Sequence, residues 1–212
     1  MPMVGGVTQP DRARAHWDER YRATGSESVS WFEPEPRLSL AMFDLAGTDR
    51  SGSAIDIGGG ASSFAETLID RGLTDVTVLD LSDVALSIAR NRLGNSESVH
   101  WLVADVTTWE PDRTWDFWHD RAVFHFLTEP EQRAAYRSLL HRSVPTGGAV
   151  AVATFAEDGP EQCSGLPIER YSVGRLLDEL GDGLAEIASG RFVHTTPSGA
   201  VQPLTWIVAR KV

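Results

Sequence analysis

Two stretches near the start of the chain carry apolar residues at helical spacing, residues 13–21 and residues 38–45. Positions that recur every three or four residues lie on one face of a helix, so the pattern predicts two amphipathic helices. Pro34 and Pro36 stand between them, and proline does not continue the interior of a helix. We therefore expect a helical cap over residues 1–50.

From residue 53 onward, short β-rich runs alternate with longer amphipathic runs. The predicted strands are residues 54–57, 76–79, 99–103, 115–119 and 149–155, and the predicted helices between them are residues 62–71, 82–93 and 129–143. This alternation is typical of a parallel sheet with crossover helices. It predicts a ligand-binding core over residues 53–155.

The last quarter of the chain follows a different pattern. Residues 156–170 are polar without periodicity and predict a loop over the site, and residues 172–180 predict a short helix. Two strand-like runs follow, at residues 184–195 and 204–209. With no helix between them, those strands must be antiparallel. The whole pattern predicts one α/β domain, a Rossmann-like, doubly wound sheet of seven strands, mostly parallel with a C-terminal antiparallel hairpin.

A glycine-rich turn, Asp56-Ile57-Gly58-Gly59-Gly60, follows the first predicted strand. In open α/β sheets, ligands bind beyond the carboxyl ends of the strands, where the strand order reverses. Glycines there let the backbone approach a ligand, and the start of the next helix favours an anionic group. The turn predicts a ligand with a carboxylate or phosphate, and a turn without a ligand is the alternative.

Acidic residues end the next two predicted strands. Asp80 stands where a carboxylate can accept both hydroxyls of a ribose, and Asp105 where one can accept from an adenine amine. Either alone is also compatible with a solvated acid at a strand end. With Asp56, three acids at successive strand ends favour a nucleoside-containing ligand.

An NAD-dependent oxidoreductase shares the glycine turn and Asp80. Its dinucleotide pattern needs a glycine at position 63, where this chain has Ser63. The chain of 212 residues is also short for a dinucleotide domain with a catalytic domain, and it ends in a predicted antiparallel hairpin. These features favour another nucleoside cofactor.

Three segments, residues 54–60, 78–82 and 103–106, resemble the S-adenosylmethionine (SAM) motifs of class I methyltransferases. The resemblance covers about residues 53–155 and implies SAM as the cofactor. It implies that the turn holds the methionine part of SAM, with Asp80 on the ribose and Asp105 on the adenine amine. It further implies that Leu81 packs on the base and that Val106 offers a backbone N–H.

The N-terminal residues His16-Trp17-Asp18-Glu19-Arg20-Tyr21 and Trp31-Phe32-Glu33 are similar to two groups within that class. One is the elongation-factor and citrate-synthase lysine methyltransferases, and the other is the thiopurine methyltransferases. Aromatic faces attract a sulfonium and exclude water from it. We expect Trp17, Tyr21 and Trp31 to contact the cofactor. A role as core residues of an amphipathic helix remains open for Trp17 and Tyr21.

The residues after the fourth predicted strand face the first strand across the switch point, where a methyl acceptor must stand. Asp120-Arg121-Ala122-Val123 departs from the Asp-Lys-Gly-Thr of the lysine enzymes and the Asp-Arg-Gly-Ala of the thiopurine enzymes. His125 is the candidate base, and a packed structural histidine is the alternative. Asp120 and Arg121 either hold the acceptor or pair with each other. His119, Asp120 and His125 match no recognised metal-ligand spacing, so no metal is predicted.

Composition limits the partners. Thirty acidic against nineteen basic residues give a net charge of −11, which opposes nucleic acid; the charge suits either a cationic acceptor or solubility alone. Cys163 is the only cysteine in the chain. No apolar run is long enough to span a membrane, and residues 1–11 lack the apolar core of a signal peptide. We therefore expect a cytoplasmic protein.

The expected function is SAM-dependent methylation of a nitrogen, oxygen or sulfur atom of a small molecule. A protein lysine methyltransferase is the alternative within the class. An NAD-dependent oxidoreductase and a non-catalytic SAM- or nucleotide-binding module are alternatives of other classes.

Overall fold

Seven strands form one sheet in the computed structural model, which describes residues 9–94 and 96–212. The strand order is β3-β2-β1-β4-β5-β9-β8. The strands are β1 Ala54–Ile57, β2 Val76–Asp80, β3 Val99–Val103, β4 Phe117–Arg121, β5 Ala149–Phe155, β8 Leu184–Thr195 and β9 Val201–Lys211. The first five run parallel, and β9 pairs antiparallel with β5 and β8. The seven-stranded, mostly parallel sheet with a C-terminal hairpin is therefore confirmed.

Helices cover both faces of this sheet. They are α1 Gln9–Thr24, α2 Arg37–Ala46, α3 Phe64–Asp70, α4 Asp83–Leu93, α5 Pro130–Ser143 and α6 Val173–Leu180, with a 3-10 turn at Phe124–Phe126. Local sequence sets where several of them begin. Ser82 Oγ accepts a hydrogen bond from the amide of Ala85 at the start of α4. Glu129 and Gln132 form a capping box ahead of α5, whose first residue is a proline.

The core consists of two layers on opposite faces of the sheet. Strand β5 shows the division, since Ala149, Ala151 and Ala153 face one layer while Val150 and Val152 face the other, all fully buried. A strand covered on both faces has a continuous apolar sequence, as this one does. The strand order reverses at β1, which pairs with both β2 and β4. That reversal opens a crevice at the carboxyl ends of the strands.

The fourth strand differs from its prediction. It covers Phe117–Arg121 and not residues 115–119. Trp115 lies before the ladder, where its backbone N–H donates to Ser143 and its indole Nε1 donates to Thr77 Oγ1. The ladder with β1 then pairs Phe117 with Ala54. As a result, Asp120 and Arg121 lie within the strand and not after it.

Two further segments differ from the prediction. The predicted loop at residues 156–170 contains a small hairpin of two-residue strands, β6 Gln162–Cys163 and β7 Leu166–Pro167. Strand β9 is longer than the predicted residues 204–209. Within residues 9–94 and 96–212, no helix is long and apolar enough to cross a membrane. The first eight residues of the predicted cap, and with them most of the segment at residues 1–11, lie outside the described residues.

Candidate functional site

A cavity of about 560 Å³ opens at the carboxyl ends of the parallel strands. This volume is within the range of small-molecule and cofactor sites. One end lies over β1, β2 and β3, where Gly58, Asp80 and Asp105 line it. The other end reaches β4, β5 and the terminal hairpin. Helix α1 and the β6–β7 hairpin complete its walls, so the predicted loop does border the site.

The glycine turn has the close contacts that require glycine. The backbone N–H groups of Gly58 and Gly59 both donate to the carbonyl of Leu79, at 2.6 and 3.3 Å. Gly58 has a φ of +64°, and a Cβ there would overlap Val123 Cγ2. Gly60 has a φ of +50°, and a Cβ there would lie 2.6 Å from Tyr21 Oη. Gly58 lines the cavity, whereas Gly59 and Gly60 are not among its lining residues.

Asp56 does not reach the cavity, contrary to its prediction as a cofactor contact. Asp56 is 3% exposed, and its carboxylate accepts a hydrogen bond from His119 Nδ1 at 2.7 Å. Phe64 packs on the His119 ring, with centroids 4.3 Å apart. Side chains alternate along a strand, so Asp56 points into the opposite layer from its neighbour Ile57, which lines the cavity. Asp56 therefore lies against the glycine turn on its core side, where a Cβ on Gly59 would overlap its carboxylate.

Asp80 ends β2 on the wall of the cavity. Its Oδ1 accepts from the backbone N–H of Ser82 at 2.7 Å. Burial of the carboxyl raises the pKa of Asp80 to about 7, and repulsion from Asp56 and Asp18 adds to the increase. Hydrogen bonds from backbone N–H groups oppose this increase. Asp80 is therefore close to half ionised at neutral pH. A ligand that donates hydrogen bonds from hydroxyl groups would favour its ionised form.

Asp105 follows β3 on the same wall. Its Oδ1 accepts from the backbone N–H and the hydroxyl of Thr107, at 2.8 and 2.6 Å. Oδ2 has no hydrogen bond to any residue that the structure describes. Between the two acids, the wall is apolar, formed by Leu81, Ala104 and Val106. An aromatic base with an amine at one edge matches this combination.

Three aromatic residues predicted to contact the cofactor all line the cavity. Trp17 packs edge-on against Trp31, with centroids 5.7 Å apart, and against Phe126 at 5.1 Å. Trp31 Nε1 donates to Tyr21 Oη at 3.2 Å. Burial raises the pKa of the Tyr21 hydroxyl well above its ordinary value, so the hydroxyl remains neutral. Together they form an aromatic cover beside the glycine turn.

Asp120 is buried away from the cavity, which does not agree with a catalytic role. Its carboxylate accepts from the backbone N–H groups of Val123 and Phe124 and from Tyr136 Oη, the last at 2.7 Å. Burial raises the pKa of Asp120 to about 6, against the effect of these donors. These bonds hold the turn at Ala122, whose φ is +69°, and so place Val123 against Gly58.

His125 is also absent from the cavity wall, so the structure does not support it as a base. The 3-10 turn directs its ring into the core, between Phe126 and Phe155, with centroids 4.4 and 4.8 Å away. Neither ring nitrogen has a partner among the described residues. Burial lowers the pKa of His125 to about 3, so the imidazole is neutral.

Arg121 is the one predicted catalytic residue that lines the cavity. Its Nη1 donates to Glu33 Oε2 at 3.0 Å, and its Nη2 donates to the carbonyl of Trp31 at 2.8 Å. His194 of β8 lies on the same wall and contacts Glu33 from the other side. His194 is not predicted from the sequence, because it lies in no motif and is 161 positions from Glu33. Among the described residues, no group of three or more His, Cys, Asp or Glu side chains is placed to hold a metal ion.

Residues 54–148 match the protein family described as a methyltransferase domain. A trans-aconitate 2-methyltransferase of Rhizobium rhizogenes is 33% identical over 114 residues, which cover 53% of this chain and 41% of the relative. A malonyl-[acyl-carrier protein] O-methyltransferase of Ilyobacter polytropus is 23% identical over 110 residues, covering 51% of this chain and 40% of that protein. The chain thus matches about two fifths of the length of these relatives.

The fold is shared with solved structures over most of the chain. The N-methyltransferase NodS of Bradyrhizobium japonicum, in complex with S-adenosylhomocysteine, superposes with a TM-score of 0.69 at 15% identity. The superposition covers 92% of this chain and 97% of that one. At this level of identity, the likeness establishes the architecture alone.

Proposed function

We propose that this chain, which belongs to the class I methyltransferases and carries their methyltransferase domain at residues 54–148, binds SAM and methylates a small molecule. The acceptor atom is nitrogen, oxygen or sulfur. One observation carries the proposal: Gly58, Asp80 and Asp105, from three successive strand ends, line a single cavity at the switch point of the sheet.

The residues of the cavity fit SAM part by part. Asp80 offers a carboxylate to the two ribose hydroxyls, and Asp105 offers its free oxygen to the adenine amine. Leu81 and Val106 border the place of the base. Gly58, whose missing Cβ lets Val123 pack against the turn, borders the place of the methionine part. The aromatic cover attracts a positive sulfur. Asp56 and Gly59 contribute by shaping the turn.

SAM supplies a methyl group bonded to a positively charged sulfur. An acceptor lone pair forms the new bond to carbon as the carbon–sulfur bond breaks, and the electron pair of that bond stays on sulfur. The protein contributes mainly by position, because the two reacting atoms must approach in line. Asp120 and His125 face the core, so neither supplies a base at the cavity. Arg121, with donors on the cavity wall, orients the acceptor.

Relatives named for trans-aconitate and malonyl-[acyl-carrier protein] support a small or carrier-bound acceptor. The net charge of −11 favours a second candidate, a lysine-rich protein acceptor. Arg121 opposes it locally, because a lysine ammonium would meet a guanidinium at the cavity wall.

Transfer of a labelled methyl group distinguishes these candidates. The protein is incubated with methyl-labelled SAM and either the small-molecule or the protein fraction of a bacterial extract. We expect label in small molecules with the wild-type chain and not with Asp80→Ala. Label in protein alone would favour the lysine candidate. Wild-type protein that binds SAM but transfers label to neither fraction would count against an enzyme and for a binding module.

A further inference from the structure

The cavity divides into two ends of different chemistry. The cofactor end lies over β1, β2 and β3 and carries Asp80 and Asp105. The opposite end, which we call the acceptor end, lies over β4, β5, β9 and β8. It is lined by Arg121, Phe155, Leu166, His194, Gln202 and Leu204. In the proposed reaction, this end holds the molecule that receives the methyl group.

Two hydrogen-bond contacts fix the position of the His194 ring beside Glu33. Its Nε2 lies 2.7 Å from the carbonyl oxygen of Ser30, which only accepts, so Nε2 carries a hydrogen. Its Nδ1 lies 3.2 Å from Glu33 Oε1. Burial alone would raise the pKa of Glu33, but the hydrogen bond from His194 and the charge of Arg121 lower it, so this group is an acceptor-only carboxylate. Both ring nitrogens of His194 therefore have partners within the chain, and Arg121 is the charged side chain with free donors at this end.

Arg121 forms an ion pair with the same carboxylate. A guanidinium has five N–H donors, of which two are used, by Glu33 and the Trp31 carbonyl. No other residue that the structure describes accepts from the remaining three. The side chains of Arg121, Glu33 and His194 are 12%, 7% and 4% exposed, so water screens them little. Arg37 also acts on Glu33 as a positive charge. Three N–H donors of a largely buried guanidinium are therefore left for a ligand.

We propose that the acceptor end is a carboxylate site, and that the methyl acceptor is a small, largely apolar acid whose carboxylate pairs with Arg121. This inference rests on the proposed function. A planar guanidinium with free donors matches a planar carboxylate in two parallel hydrogen bonds. Phe155, Leu166 and Leu204 supply apolar walls for the rest of the molecule. Gln202, whose amide has no hydrogen bond within the described residues, adds a further polar contact.

The methionine part of SAM also carries a carboxylate, which is the other possible partner of Arg121. Two nucleoside ligands separate these sources. S-adenosylhomocysteine has the amino-acid tail, and 5′-methylthioadenosine lacks it. If Arg121 binds the acceptor, Arg121→Gln changes the affinity of neither ligand by more than about twofold. A loss of at least about tenfold for S-adenosylhomocysteine alone would assign Arg121 to the cofactor and overturn the proposal.

The carboxylate preference is measured on protein saturated with S-adenosylhomocysteine. Benzoate is compared with benzamide, and succinate with succinamide, by calorimetry and by the fluorescence of Trp17 and Trp31 in the cavity wall. We expect at least one carboxylate to bind about tenfold or more tightly than its amide. Arg121→Gln abolishes that preference. Arg71→Gln, which removes an exposed ion pair with Asp44 outside the cavity, retains it.

A second variant is expected to change the affinity for carboxylates in the opposite direction. Glu33→Gln removes the carboxylate that competes for Arg121, so it strengthens carboxylate binding. If circular dichroism shows that Arg121→Gln does not fold, Glu33→Gln alone tests the proposal. Carboxylate binding to Glu33→Gln that is unchanged or weaker than in the wild type would overturn the proposal. Equal affinity of acid and amide in both pairs, or no saturable binding of either acid, overturns it too. Absence of S-adenosylhomocysteine binding to the wild-type chain would instead contradict the proposed function.

Discussion

The affinity for SAM is expected to depend on pH through one carboxyl group, Asp80. In the ligand-free protein, burial raises the pKa of Asp80 to about 7, and Asp56 and Asp18 add repulsion. In the proposed complex, the two ribose hydroxyls donate hydrogen bonds to Asp80, so they favour its ionised carboxylate. Binding must therefore remove the proton that Asp80 holds at lower pH, and the cost of that removal appears as weaker affinity.

The size of the effect follows from the fraction of Asp80 that is ionised. With a pKa of about 7, roughly a tenth of the protein is ionised at pH 6 and roughly nine tenths at pH 8. The SAM dissociation constant should fall by about tenfold between these pH values, which is about 1.4 kcal/mol. Below pH 6, each further unit weakens binding by about tenfold, provided that the protonated form binds poorly.

Stability of the ligand-free protein should change in the opposite direction. The pKa of Asp80 is raised above its model-compound value of 3.8, so its folded state holds a proton that the unfolded state releases. This stabilisation is fully present below pH 3.8 and is lost as the pH rises towards 7. Saturating SAM should therefore raise the unfolding temperature more at pH 8 than at pH 6.

Titration calorimetry at pH 6, 7 and 8 measures the dependence directly, with buffers of different ionisation heat to count released protons. Asp80→Asn should bind SAM weakly with little change across this range. Asp83→Asn, which alters an exposed acid in the first turn of α4, should keep the wild-type profile. A wild-type affinity constant within twofold from pH 6 to pH 8, or the full dependence retained in Asp80→Asn, would refute the reasoning.

Three other substitutions test separate parts of the site. Gly58→Ala should abolish SAM binding and cost at least about 1 kcal/mol of stability, because the new Cβ would overlap Val123 at a φ of +64°. Gly47→Ala is the matched control, since Gly47 has a φ of +62° but open space around it. Equal effects of the two substitutions on thermal stability and SAM binding would contradict the close contact at Gly58. His125→Phe should keep the methyl-transfer turnover and the unfolding temperature of the wild type, since no hydrogen bond to a described residue is lost. If His125 were a general base, the substitution would lower turnover by about 100-fold or more. Asp105→Ala should weaken 5′-methylthioadenosine and SAM alike by about tenfold in calorimetry, because both carry the adenine, and a selective loss of SAM would contradict that placement.

Local patterns were enough to predict the sheet and the cofactor end of the site. The apolar run of β5 and the glycine turn depend on nearby residues, and the carboxyl ends of parallel strands meet at one edge. Asp80 and Asp105 consequently line one cavity, as expected from their positions alone.

The direction of individual side chains was harder to predict. Asp56 and Asp120 both lie in strands, and each carboxylate is bonded to a buried side chain, His119 and Tyr136 respectively. A 3-10 turn determines the direction of His125, and that turn depends on hydrogen bonds from Val123 and Phe124 to Asp120. Nothing in the local pattern of residues 119–126 specifies these orientations.

The acceptor end depends on contacts between distant parts of the chain. Glu33 lies before α2, Arg121 ends β4 and His194 lies in β8, so only the assembled sheet brings the three together. Their residue types are common at protein surfaces, and no motif connects them. For this reason, the sequence predicted Arg121 as an acceptor contact but missed its partners.

Calorimetric titration of the purified chain with SAM and, separately, with NAD tests the central claim most directly. We predict saturable binding of SAM at one site per chain and no detectable binding of NAD, with SAM binding greatly weakened in Asp80→Asn. Saturable binding of NAD without binding of SAM would contradict the account and would assign the cavity to a dinucleotide.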